Sequence, residues 1–118
     1  MKMRNEYTCP LELIHDIIKG KWKPVILWQL SKGGSSLSVL IKSILGISQK
    51  MLVQHLKELL EWGMIGKTIN DGYPLKSDYF LTKRGEKIFE AVSIMQDIGI
   101  EMMIEDYREE FLREKGLL

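Results

Sequence analysis

The sequence predicts a mainly α-helical domain carrying one small β-hairpin. Three observations carry that expectation. Apolar residues recur at helical spacing over most of the chain. Two short strand-like segments flank a dense turn signal, Asn70-Asp71-Gly72-Tyr73-Pro74. Glycine or proline punctuates most of the junctions between segments.

Residues 1–9 are polar. Pro10 suits the first position of a helix, and Leu11, Leu13, Ile14, Ile17 and Ile18 give it an apolar face that ends at Gly20. A second helix starts at Lys21-Trp22-Lys23-Pro24. Val25, Ile26, Leu27, Trp28 and Leu30 make it apolar nearly all round, so it should be buried, and Gly33-Gly34 stops it. Trp22 and Trp28 read as core anchors because aromatic burial is so large. Ser35 to Leu45 reads as a third helix, with Leu37, Leu40, Ile41 and Ile44 inward and Ser36 or Ser38 as its cap.

The next stretch, GISQKMLVQHLKELLEWG from Gly46 to Gly63, organises the rest. Gly46 lets the chain turn, Ser48 can cap the helix, and Gly63 suits the position just past its end. Leu52, Leu56, Leu59 and Leu60 form one stripe. Gln49, Lys50, Val53, Gln54 and Lys57 form the opposite face, which is free of acid until Glu58. Gln and Lys are side chains that meet base edges and phosphates in a major groove. Two helices joined by a short glycine-containing turn make a helix-turn-helix, whose second helix is expected to enter DNA.

Met64–Ile69 and Ser77–Leu81 read as two strands around the 70–74 turn. A hairpin directly after a helix-turn-helix is a wing, so the predicted fold is a winged helix-turn-helix. Lys67 and Lys76 lie on or beside that wing, placed to meet backbone phosphates. Thr82 can cap the last helix, with Gly85 in its first turn. From Arg84 to Lys115 the chain is helical in character. Ile88, Phe89, Val92, Met95, Ile98, Met102 and Met103, then Tyr107 and Phe111, run as an apolar stripe, and Gly99 is placed to bend or break it. So long a stripe on so small a body is expected to pack against a second copy of the chain, the other reading being that its methionines make an adaptable surface facing a small effector. The 118 residues therefore read as one domain, with a winged-helix body over 10–83 and dimerising helix or helices over 84–118.

Composition narrows the function. Hydrophobic content of 45% and charged content of 28% describe an ordinary globular protein. No apolar run follows the charges of MKMRNEYT, and no stretch approaches the ~18 apolar residues of a membrane span, so a cytoplasmic protein without membrane contact is expected. Residues 17–76 hold nine Lys against three acids, a balance of +6, whereas residues 84–118 hold five bases against nine acids, a balance of −4. A basic middle with an acidic tail fits a DNA-facing body. His15 and His55 lack an acid cluster, no glycine-rich phosphate loop occurs, and the Glu105-Asp106 and Glu109-Glu110 pairs read as solvated helix charges. No enzyme activity, metal or cofactor is expected. The rival reading is a winged-helix module that binds protein and not specific DNA, because a fold does not fix a function.

The chain resembles the HxlR-type family of bacterial winged-helix transcriptional regulators over almost its whole length. The matching residues are Cys9-Pro10; Gly20-Lys21-Trp22-Lys23 with Ile26-Leu27; Gly46-Ile47-Ser48 with Lys50-Met51-Leu52, then Leu56, Leu59 and Gly63; and Pro74, Tyr79, Leu81-Thr82 and Gly85. The resemblance implies a homodimer, formed through the N-terminal and C-terminal helices, on a pseudo-palindromic double-stranded DNA operator. By position it implies that Ser48, Gln49, Lys50, Gln54, His55 and Lys57 face DNA. The sequence departs from the family pattern at Ser36-Leu37, where Arg-Phe is usual, and at Val39, Val53, Lys67 and Asp78.

Cys9 is the single cysteine, which excludes an internal disulfide. It precedes Pro10 at the start of a helix, where the dipole favours a thiolate. It reads equally as a small buried hydrophobe. Some members of the resembled family sense oxidants or electrophiles through a cysteine in this place, and that makes Cys9 the candidate redox sensor.

Overall fold

The computed structural model describes residues 6–70, 76–106 and 108–118, with Asn70 and Lys76 described by their backbone. The elements run α1 (Pro10–Ile18), α2 (Trp22–Ser31), β1 (Ser35–Ser36), α3 (Leu37–Ser43), α4 (Gln49–Glu61), β2 (Ile65–Asn70), β3 (Lys76–Leu81), α5 (Lys83–Glu105) and α6 (Glu109–Glu114). The expected turn at Asp71–Pro74 and the stripe residue Tyr107 lie outside the described residues.

The core forms where the apolar stripes converge. Ile17 of α1, Ile26, Leu27 and Leu30 of α2, Leu40 of α3, and Leu52, Leu56 and Leu59 of α4 are buried together with Ile44, Ile47, Met64, Ile65 and Val92. Trp22 packs against this cluster as expected. Trp28 stacks at a tilt on Phe89 of α5, with ring centroids 5.8 Å apart. Three N-caps expected from sequence are made, the third by Thr82 at the start of α5. Ser36 accepts from the Val39 amide of α3 and Ser48 from the Met51 amide of α4.

The sheet corrects the expectation in one respect. It has three strands, in the order β1-β3-β2, all antiparallel. Ser35 and Ser36 were expected to begin a helix. They pair instead with Tyr79 and Asp78 of β3 before Ser36 caps α3. Nothing in Gly-Gly-Ser-Ser favours a strand locally. The strand exists because β3 offers an unpaired edge at that place. β2 and β3 pair from Ile65↔Leu81 to Asn70↔Lys76 and form the hairpin.

Thr82 locks the hairpin to α4 and α5. Its hydroxyl donates to the Gly63 carbonyl at 2.5 Å and accepts from the Gly85 amide at 3.1 Å. Gly63, at φ +69°, takes the left-handed conformation that ends α4. The Arg84 guanidinium donates to the Trp62 carbonyl at 2.8 Å on the same corner. This lock leaves no room at Gly85, which is buried and where an added Cβ would meet the Met64 carbonyl oxygen. Ala favours a helix over Gly by up to ~1 kcal/mol, but backbone cannot yield as a flexible side chain does. Gly85→Ala is therefore expected to destabilise the fold by about 1–3 kcal/mol, the cost of overpacking. A urea midpoint equal to or above that of the parent protein would contradict the contact.

α5 continues unbroken through Gly99 and ends at Glu105. One interior glycine costs a helix about 1 kcal/mol, less than breaking its hydrogen-bond ladder. The helix stops where the Arg108 amide turns back to the Met103 carbonyl at 2.8 Å. The expected stripe divides in two. Ile88, Phe89 and Val92 face the body, whereas Met95, Ile98 and Met102 are exposed and Met103 is half-buried; Ile94, outside the expected stripe, is exposed beside them. On α6 it is Leu112 that is fully buried, while Phe111 is exposed.

Candidate nucleic-acid interface

α4 is held from beneath and open above. Leu52, Leu56 and Leu59 anchor its inner face in the core. Ser48, Gln49, Lys50, Gln54 and Lys57 are all exposed and lie along one outward surface, with Val53 among them. Side chains three and four apart on a helix are neighbours, so Gln49, Val53 and Lys57 make one row and Lys50 and Gln54 the row beside it. Lys42, on the outside of α3, is exposed as well.

Glu58 interrupts this basic face in the sequence but not in the structure. Its side chain is only 10% exposed and pairs with Lys23 of α2, itself 3% exposed, at 2.5 Å. Gln54 donates to the other carboxylate oxygen at 3.5 Å. Burial by itself pushes the Glu58 carboxyl up. The hydrogen bond from Lys23 leads the interactions that outweigh burial and hold it down at about 2, and the charge of Lys23 and the Gln54 bond act in the same direction. The electrostatic outcome has two parts. Glu58 is withdrawn from the outward surface and neutralised, which leaves Glu61 at the far end of α4 as its exposed acid, and Lys23 no longer belongs to the basic exterior.

His55 is placed apart from the other candidates. It sits on the flank of α4, with Nδ1 3.8 Å from a Glu58 oxygen and the side chain 18% exposed. Among the described residues neither ring nitrogen has a hydrogen-bond partner. Burial first, and then the charge of Lys23, lower its pKa below the ordinary 6.5 against the opposing pull of Glu58. A neutral imidazole packed beside an ion pair is its place in the fold.

Lys67 is exposed on β2, with Nζ 5.7 Å from the ring centre of its cross-strand partner Tyr79. Lys76 opens β3. Cys9 is the N-cap residue of α1 and half-buried. Its carbonyl accepts from the Glu12 amide at 3.0 Å, and its side chain makes no capping bond.

Sequence reasoning grouped Ser48, Gln49, Lys50, Gln54 and Lys57, which the structure leaves exposed on α4, but it missed the Lys23–Glu58 pair. A signal was present. Lys23 opens a helix with no polar face, so its ammonium needed an acid from another element. Among the described residues no helix is long and apolar enough to cross a membrane, and no three His, Cys, Asp or Glu side chains are grouped to hold a metal ion.

A helix-turn-helix braced by a three-stranded wing and presenting a Gln- and Lys-bearing second helix defines a winged-helix DNA-binding protein. Residues 17–107 match the HxlR-like helix-turn-helix family, and the chain belongs to that family. It is 34% identical over 102 residues to a regulatory protein named MalR from Fusobacterium mortiferum, spanning 86% of this chain and 96% of the relative. It is 35% identical over 83 residues to the HTH-type transcriptional regulator YkvN of Bacillus subtilis, spanning 70% of each. Among solved structures it is similar to the redox regulator HypR in its reduced form, at a TM-score of 0.77 and 27% identity, covering 86% of this chain and 99% of that one. The protein is a transcriptional regulator of the helix-turn-helix type.

Proposed function

We propose that the protein acts as a cytoplasmic homodimer on an inverted-repeat operator, with α4 of each copy in the major groove. The observation that carries this reading is the outward surface of α4. Gln49, Lys50, Gln54 and Lys57 are open there together, and Glu58 is turned inward onto Lys23. Lys50, Gln49 and Gln54 read base edges, Ser48 and Lys57 hold the flanking backbone, and Lys67 and Lys76 of the wing meet neighbouring phosphates. His55 acts from behind this surface by its packing beside Glu58 and does not touch bases.

The dimer is built from the helices outside the body. Support comes from the exposed row Ile94, Met95, Ile98 and Met102 on α5 and from exposed Leu11 on α1, apolar surface that a second copy would cover. Residues 10–83 then serve as the DNA-binding body and residues 84–118 as the dimerising part. Two recognition helices related by a two-fold axis meet half-sites about 34 Å apart or a multiple of that distance.

The test is selection from random duplexes by the full chain at two salt concentrations, followed by sequencing. An enriched inverted repeat with half-sites one helical turn apart, or a multiple, is the expected result. Salt-sensitive retention without a motif would leave a non-specific binder. No retention at low salt would point to a protein-binding module.

Cys9 supplies the regulation in this reading. One cysteine per chain allows an intersubunit disulfide or an adduct with a small thiol. It stands at the first turn of α1, one of the proposed dimer helices, so its oxidation would act on the dimer. Cys9→Ser replaces a half-buried thiol that makes no capping bond by a group of similar size, so it is expected to keep operator affinity within about twofold and to lose any response to oxidant. A Cys9→Ser protein whose binding still changes with diamide would remove the thiol from the mechanism.

A further inference from the structure

Among the described residues, Val53 is an apolar side chain set within the polar outward surface of α4, and no packing against the core accounts for it. It is 45% exposed and belongs neither to the core nor to the apolar side chains packed against it. Gln49 and Lys57 flank it one turn away on either side, Lys50 lies three residues before it, and Gln54 follows it. All four are exposed and polar. A branched residue is also a poorer helix former than Ala, Gln or Lys at such a place, so local propensity does not account for it.

Rigidity gives Val53 a use that a flexible side chain would lack. A β-branched side chain in a helix holds essentially one χ1 rotamer. Its two methyl groups are therefore presented in a fixed direction, and little rotamer freedom is lost when they are covered. In the major groove, each base pair shows donors and acceptors, and thymine alone adds an apolar C5-methyl group. Val53 has no donor or acceptor to offer, so apolar contact is the only readout open to it. We infer that Val53 is a specificity-determining residue that packs on a thymine methyl in each half-site. This rests on the proposed placement of α4 in the groove.

The experiment removes the methyl from the DNA and leaves every hydrogen-bonding atom in place. The operator recovered by selection is remade with each dT replaced in turn by dU, symmetrically in both half-sites. Each duplex is titrated with the wild-type full chain and with Val53→Ser. Wild type is expected to lose about fourfold in affinity per methyl, about fifteenfold for the symmetric pair, at one thymine position. Val53→Ser is expected to bind the dT and dU duplexes equally there, which isolates the pairwise contact as a double-mutant cycle does. An operator on which no replacement weakens wild type, or on which both proteins lose equally, overturns the inference alone. A random pool that yields no motif overturns the placement of α4, and the inference falls with it.

Discussion

Lys23→Met is expected to lower the stability of the folded protein by up to about 3–5 kcal/mol, because it takes the Lys23 ammonium away from the buried Glu58 carboxylate. For a domain of this size that is a fall of roughly 10–20 °C in the melting temperature. The loss is not the worth of the ion pair. It is mostly the cost of a charge held out of water, and it would be shed if the charge went too. Lys23→Met combined with Glu58→Leu should therefore recover most of the stability that the single variant loses. Thermal melts of the three proteins decide the matter. A single variant that melts within 2 or 3 °C of the parent, a shift of well under about 1 kcal/mol, would mean that water reaches Glu58 freely.

The same pair sets the acid limb of the stability curve. Glu58 titrates at about 2 in the fold against an ordinary 4.5, so its folded pKa is depressed. The stability it contributes is fully present above about pH 4.5 and is lost as the pH falls toward 2. His55 acts at higher pH. The fold holds it neutral with a lowered pKa. The unfolded chain therefore takes up its proton first, and stability begins to fall once the pH drops below the ordinary 6.5. In the double variant, the part of the decline belonging to Glu58 should vanish. Urea midpoints measured across that range would show it.

The second large effect concerns operator binding. Lys50→Ala with Gln54→Ala should weaken binding to the operator by about 1,000-fold or more. The estimate takes two base contacts in each of two half-sites at the low end of about 1–3 kcal/mol apiece. Binding to random duplex should fall far less, by about tenfold, because only one Lys per copy is lost from the phosphate-facing charge. Both residues are exposed on α4, and the long Gln54–Glu58 bond is the contact the fold loses, so the melting temperature should fall by no more than about 5 °C and melts run beside the titrations separate unfolding from lost contact. Equal losses on operator and random DNA would assign Lys50 and Gln54 to backbone positioning and deny them base readout.

These two effects share one helix. Leu52, Leu56 and Leu59 fix how deep α4 sits, and Glu58 ties it to α2 through Lys23. The surface proposed to read DNA is thus held by an apolar face and a buried ion pair. A loosened Lys23–Glu58 contact would cost affinity through orientation even where the fold survives, since binding geometry tolerates little misplacement.

Much of this was legible in the residues themselves. The helix periodicities, the Ser48 and Thr82 caps, the left-handed glycine after α4 and the outward set Gln49, Lys50, Gln54 and Lys57 are all local features. Each depends on spacing within one segment or on the chemistry of one residue, and one segment is what a sequence displays. What the tertiary structure alone decided depends on two segments meeting. The Ser35–Ser36 strand exists because β3 has an open edge. Gly85 is required because the Met64 carbonyl closes over it. α5 runs through Gly99 because its ladder outweighs one poor helix former. Above all, Lys23 and Glu58 stand 35 positions apart in the chain yet touch in the core. Read singly, one is a surface base and the other a surface acid. Only packing takes both out of water, and a buried charge must find its opposite.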